Sequence, residues 1–369
     1  MKRIGEKSIS EKLAYFMIVL ISFVYVIYIL QDILIPFVFA GLFAFLLYPF
    51  TKKLESWGLP RFLATFTSII LTFFLMSVFL YFSYIQILDL QNLIPLFLTK
   101  GIAMLRELET YLKVNYQINQ TQVIEEGSKY LTEVLKNLPQ LIGGTLGTTT
   151  AFLINISLLP LYVFLFLFYR DFLKLFILKF LRKTNKYRIE VVLEKINDVI
   201  KNYIVGLLLV IIIVGMLNTL SLMILGIDHA IFFGFFAAIL VLIPYIGIAI
   251  GSALPILVAL ITKDSYLYPL GVGVSFGVIQ FLEGNFITPY VVGSKVSINS
   301  LAAILSLLLF ANLWGISGLV LALPITAVLK VIFDSNENMK AFGFLLGDAD
   351  NVDVRDYKNK MKAKSKSEQ

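Results

Sequence analysis

The chain has 369 residues, of which 59% are hydrophobic and only 15% charged, against about 25% charged in soluble domains. A water-soluble core cannot hide that much apolar surface, so the bilayer is the solvent. There is no cysteine and a single histidine, which excludes disulfides, thiol nucleophiles and His-rich metal clusters, and a net charge of +7 in such a chain records membrane orientation rather than nucleic-acid binding.

A hydrocarbon core of about 30 Å needs roughly 20 apolar residues per helical crossing. Runs of that length recur along the sequence. They predict an all-α, polytopic helical membrane protein of six to eight spans, not a barrel of alternating strands of roughly 10 residues. Residues 1–88 form an N-terminal group of spans: Leu13–Leu30, Ile33–Phe50 and Phe62 to about Leu88. Leu13–Leu30 is too long for a signal-peptide core and no small-residue cleavage site follows it, so it reads as an uncleaved span. Lys2, Arg3, Lys7 and Lys12, with Lys52, Lys53 and Arg61 after the second span, put the N-terminus in the cytoplasm by the positive-inside rule.

Residues 89–144 are a polar excursion placed outside by parity. Leu105, Leu108 and Leu112 share one helical face there, as do Leu131, Leu135 and Leu138. This spacing predicts two amphipathic helices capping the membrane domain. Residues 145–225 return to spans, Thr145–Tyr169 and Tyr203–Leu225. Between them, segment 170–202 carries nine Lys or Arg; its first half suits a helix lying in the anionic cytoplasmic interface against membrane lipids, and its second half an amphipathic helix that runs into the next span. Asp228 and His229 mark an outside turn.

Residues 226–333 hold the functional core. Ala230–Thr262 is 33 residues without a charge, interrupted at Pro244, Gly247, Gly251 and Pro255. Ser300–Phe333 is similar, interrupted at Asn312, Gly315, Gly318 and Pro324. Both carry AAIL, then spaced glycines, then ALPI, a weak internal repeat. About 33 residues is too long for one straight crossing, which favours two re-entrant hairpins over two kinked crossings. Broken helices of this kind surround the substrate in many secondary transporters. Residues 334–369, rich in both charge signs, read as a cytoplasmic, disordered tail.

Glu283 is the one carboxylate closely bracketed by membrane-grade sequence. An ionised carboxylate is expensive in lipid, so its presence there points to proton or substrate handling. Gln280 and Asn285 offer hydrogen bonds to it or to a polar ligand. Pro289 and Gly293 shape the turn that follows, and Lys295 offers a countercharge. No phosphate-binding G-x-x-x-x-G-K-[ST], no H-E-x-x-H and no Ser-His pairing occurs, so the sequence reads as a non-enzyme with no cofactor, driven by an ion gradient or by nothing.

Two patterns, Q-x-x-E-x-N-x-x-x-P-x-x-x-G from Gln280 to Gly293 and W-G-I-x-G-L-x-L-A-x-P from Trp314 to Pro324, join IPF-x-x-AGL-x-AFLLYP (Ile35–Pro49) and LIPYIG (Leu242–Gly247). Across residues 30–335 the chain resembles the autoinducer-2 exporter family of PerM-like bacterial permeases. The resemblance implies a homo-oligomer in the inner membrane, a pentamer by preference. It implies export of a small polar signal in some members and Na⁺ or Li⁺ exchange for protons in others. The expected activity is export by alternating access, elevator-like. Cation–proton antiport at Glu283 is the alternative, and a transport-free membrane scaffold the third.

Overall fold

The computed structural model describes residues 9–91, 93–116, 150–181, 185–243, 246–291 and 298–347, with scattered residues between 126 and 133. These are helical throughout apart from turns and one isolated bridge, Ile298 with Gly347. Five stretches are long and apolar enough to cross a membrane: Gln31–Ser56, Arg61–Leu90, Lys186–Ile224, Leu267–Val291 and Ser300–Ser335. Shorter apolar runs, Met17–Ile29 and Leu158–Phe168, lie in the helices Ile9–Ile29 and Thr150–Phe168. Large apolar side chains stay exposed along most of these helices. That is the signature of elements whose outer face meets acyl chains rather than water.

The chain divides into two compact units. One comprises Met1–Trp57, Asn155–Ile204 and Lys295–Gln369; the other comprises Gly58–Ile154 and Val205–Ser294. The boundary at 204/205 falls inside the single helix Lys186–Ile224, so the expected continuity of the amphipathic second half of segment 170–202 with the next span holds.

In the first unit, helix Ile9–Ile29 is separated from Gln31–Ser56 by Leu30 alone. Gln31 and Asp32, which fall between the first two expected spans, begin the second helix. Phe37 packs on Phe166 at 4.8 Å and edge-on to Tyr162 at 5.8 Å. At the far end of the same helix, Arg170 donates to the Glu55 carboxylate and lies over the Tyr48 ring at 5.3 Å. The two charged side chains are only 18% and 20% exposed. Burial works against the Arg170 charge. The Glu55 carboxylate, aided by Tyr48 and Asp171, outweighs it and lifts the guanidinium pKa above its ordinary value. Arg170→Ala leaves Glu55 half-sequestered without this cation. It is expected to cost about 2–3 kcal/mol, discounted for the residual exposure. The melting temperature of detergent-purified protein measures the loss, and Arg170→Lys should recover only part of it.

Helix Arg170–Phe180 buries none of its residues. Its Phe172, Leu175, Phe176 and Phe180 are exposed beside Arg170, Lys174 and Lys179, as an interfacial helix requires.

The disorder expected from residue 334 onward does not hold for 334–347. The helix runs on to Ser335, and after a short 3-10 turn at Glu337–Met339 a further helix forms at Lys340–Leu346. Gly343 sits against Asp334, where a Cβ would meet the Asp334 carboxylate at 2.1 Å. The side-chain amide of Asn299 donates to the carbonyls of Leu345 and Gly347 at 2.7 and 2.8 Å. Asn299 Oδ1 accepts from Ala302 N at 2.8 Å and caps the helix that follows. Sequence composition alone marks 334–347 as polar tail because the anchoring residue stands far upstream. Residues 348–369 lie outside the described residues.

In the second unit, Leu222, Phe233, Val258, Ala259 and Val272 form a core that excludes solvent almost completely. Of the two amphipathic helices expected outside, the first forms as Ile94–Tyr116. The second falls almost wholly outside the described residues.

Candidate functional site

Both long apolar stretches reverse direction. Ala230–Leu240 and Ile246–Thr262 are separate helices. A Cβ on Gly247 would stand 1.8 Å from the Leu240 carbonyl oxygen, and one on Gly251 would stand 2.9 Å from the Ala237 Cα. Partners at 240/247 and 237/251 describe two limbs running antiparallel. Eleven residues rise about 16 Å, roughly half the hydrocarbon thickness, so the first limb cannot cross alone.

In Ser300–Ser335, helical geometry fails at Trp314 (φ −133°, ψ 18°) and Gly315 (φ 59°, ψ −136°). A Cβ on Gly318 would lie 1.8 Å from the Phe310 carbonyl oxygen. In a continuous helix those residues would be about 12 Å apart. The chain therefore folds back here too, and the reading of two kinked full crossings fails. Gly315 is required because L side chains rarely adopt its positive φ. The ALPI half of the sequence echo falls on the second limb of each hairpin. The AAIL half does not superpose, lying at the tip of the first hairpin but well before the tip of the second. Pro255 and Pro324 are buried inside their second limbs. Pro244 and Gly293, like Lys295, lie outside the described residues.

The carboxylate site is built on a helix break. Helix Leu267–Leu282 widens into a π turn at Glu283–Ile287 before Thr288–Val291 resumes the α form. The turn ends at Ile287, with Thr288 between it and Pro289, whose ring crowds the carbonyl four residues back and offers it no donor. In an α-helix the residue five positions after Glu283 would point about 140° away. The π turn, with its i to i+5 closure, brings it round. The Thr288 hydroxyl accordingly donates to Glu283 Oε1, and Gln280 Nε2 donates to Oε2 at 2.7 Å. Glu283 is 7% exposed.

Asn285 corrects the expectation for it. Its amide donates to the carbonyl of Phe281 at 2.9 Å and its side chain is exposed, because a residue two positions after Glu283 lies on the opposite side of a helix. Pro289 shapes the turn and contributes no polar group. Thr288 was not among the sequence candidates. Its only sequence signal is its place beside Pro289, five residues after the acid.

The candidates divide between the units. Gln280, Glu283, Asn285 and Pro289 share the second unit with Gly247, Gly251 and Pro255, while Asn312, Gly315, Gly318 and Pro324 belong to the first. In that first unit Asn312 donates to Leu308 within its own limb at 3.0 Å, and the Trp314 indole donates to the Ile27 carbonyl at 3.3 Å. Elsewhere in the second unit, His229 has a left-handed backbone and its Nδ1 lies 2.5 Å from Gln86 Oε1.

An all-helical chain with several apolar crossings, two folded-back hairpins and a sequestered carboxylate is an integral membrane protein of the permease class. It belongs to the AI-2E family of transporters, whose model matches residues 17–338. Among similar proteins, the putative transport protein YueF of Bacillus subtilis is 29% identical over 328 residues, covering 85% of this chain and 87% of its own. The putative transport protein YrrI of the same organism is 27% identical over 317 residues, 82% and 86% of the two chains. The AI-2 transport protein TqsA of Escherichia coli is 23% identical over 327 residues, 86% and 90%. The family is one of transporters, in keeping with the reading of the chain as a non-enzyme.

Proposed function

We propose that this chain is a secondary transporter that exports a small polar molecule, such as autoinducer-2, by alternating access, with Glu283 as the group that exchanges protons or ligand. The observation that carries the reading is the carboxylate itself. It is sequestered in an apolar helix and held by two side-chain donors, one of them brought round by a π turn. Such a group is costly in a membrane and persists where it is used. Two short hairpins support an elevator-like cycle. One relative is named an AI-2 transport protein, which makes autoinducer-2 the first cargo to test. The basic residues of 1–61 and 170–202 support an inner-membrane protein with both termini cytoplasmic. We further propose a homo-oligomer, a pentamer by preference, as the resemblance implies.

A second reading, monovalent cation–proton antiport, draws on the chemistry of the same cluster. Carboxylate, hydroxyl and amide oxygens are hard ligands. Proteoliposomes separate the two. Na⁺ or Li⁺ pulses that collapse an imposed pH gradient identify the antiporter. Release of preloaded autoinducer-2 without a cation response identifies the exporter. Silence in both assays, with a folded oligomer present, defeats transport.

A further inference from the structure

The first unit contains a polar groove unrelated to Glu283. It has a volume of about 360 Å³ and opens between the start of helix Lys186–Ile224 and the end of the second hairpin with the helix after it. Arg188, Lys195, Lys340 and the Tyr187 ring line it, over a floor that includes Val192 and Val331. Asp334 lines the groove as well, but it and Glu337 are paired. Asp334 accepts from Lys330 at 2.6 Å, and Glu337 accepts from Arg188 at 3.4 Å. Arg188 is held further by a bond to the Ser335 carbonyl at 2.9 Å. Cancelling the pairs Lys330–Asp334 and Arg188–Glu337 leaves Lys195 and Lys340. Among the described residues neither has an ion-pair partner. Two uncompensated ammonium groups, a fixed guanidinium and an apolar floor match an anion with an organic or acyl portion attached. The groove also stands beside the interfacial helix Arg170–Phe180, whose Lys174 pairs with Glu190 at 3.2 Å.

We propose that this groove binds a phosphate group, gripped by Lys195 and Lys340 with Arg188 as the fixed third cation. A lipid headgroup and a free phosphate share that chemistry, through charge-assisted hydrogen bonds. Binding there would fasten the C-terminal helix to the cytoplasmic-type helix. The site is independent of what the protein transports.

The test uses the full chain in nanodiscs, with thermal unfolding read from each variant's own baseline. One arm compares phosphatidylcholine with phosphatidylcholine containing phosphatidylglycerol. The other keeps phosphatidylcholine and compares inorganic phosphate with chloride at equal ionic strength. A rise in melting temperature of roughly 3–5 °C is expected in at least one arm. The lipid arm identifies a headgroup as the source and the phosphate arm identifies a free anion. Lys195→Gln/Lys340→Gln should lose at least half the rise, and Lys195→Arg/Lys340→Arg should keep it. No rise in either arm, an equal rise in the glutamine variant, or loss in the arginine variant would overturn the site.

Discussion

Gly318→Ala is expected to keep the second hairpin from closing. The added Cβ would stand 1.8 Å from the Phe310 carbonyl oxygen and 2.6 Å from its carbonyl carbon, and both are backbone atoms that no rotamer change can move. The limbs must separate by more than an ångström, and with them goes the packing of the buried second limb at Leu321, Ala322 and Thr326. Overpacking ordinarily costs 1–3 kcal/mol. A clash with backbone belongs at or above the upper end, about 3 kcal/mol or more. Gly247→Ala meets the Leu240 carbonyl at the same 1.8 Å and should behave alike in the first hairpin. Gly277→Ala is the comparator, since its Cβ meets nothing within 4 Å. There the helix-propensity gain of Ala over Gly, up to about 1 kcal/mol, should leave stability unchanged or raised. The yield of monodisperse purified protein and its melting temperature decide. Wild-type behaviour of Gly318→Ala would mean the two limbs are not in contact.

Glu283→Gln is expected to reduce transport at least tenfold while leaving the fold intact. The substitution keeps shape but removes the charge. It also turns an amide donor towards Thr288 or Gln280, both of which already donate to this position. Thr288→Val keeps the carboxylate and removes one donor. A hydrogen bond to a charged group is worth about 1.5–3 kcal/mol, so binding at the site should weaken by about 10–100-fold, with a smaller effect at saturating substrate. Asn285→Ala should leave transport near wild type, because that amide serves its own helix. Flux in proteoliposomes against size-exclusion profiles separates activity from folding. Full activity of Glu283→Gln would remove the carboxylate from the mechanism.

The membrane architecture was legible because it rests on composition and length. Apolar runs mark the crossings, and 33 uncharged residues interrupted by Pro and Gly mark a hairpin. What escaped depends on one residue more or less. The π turn shifts register by a single position, and that shift brings Thr288 round to Glu283. No propensity scale registers it, since its cause lies in how Pro289 meets a helix already formed. Asn299 escaped for a different reason. Its side chain serves residues far along the chain, and such pairings leave no local pattern. The helix at Lys340–Leu346 was missed with it, because KAFGFLL between charged stretches is too short to announce itself without the partner it rests on.

The Asn299 contacts bear on how the protein is made. Its amide waits for carbonyls 46 and 48 positions later, an interval of roughly 2–9 s at ordinary rates of synthesis. Both limbs and the Gly315 tip are therefore synthesised before the groups that close the base of the second hairpin exist.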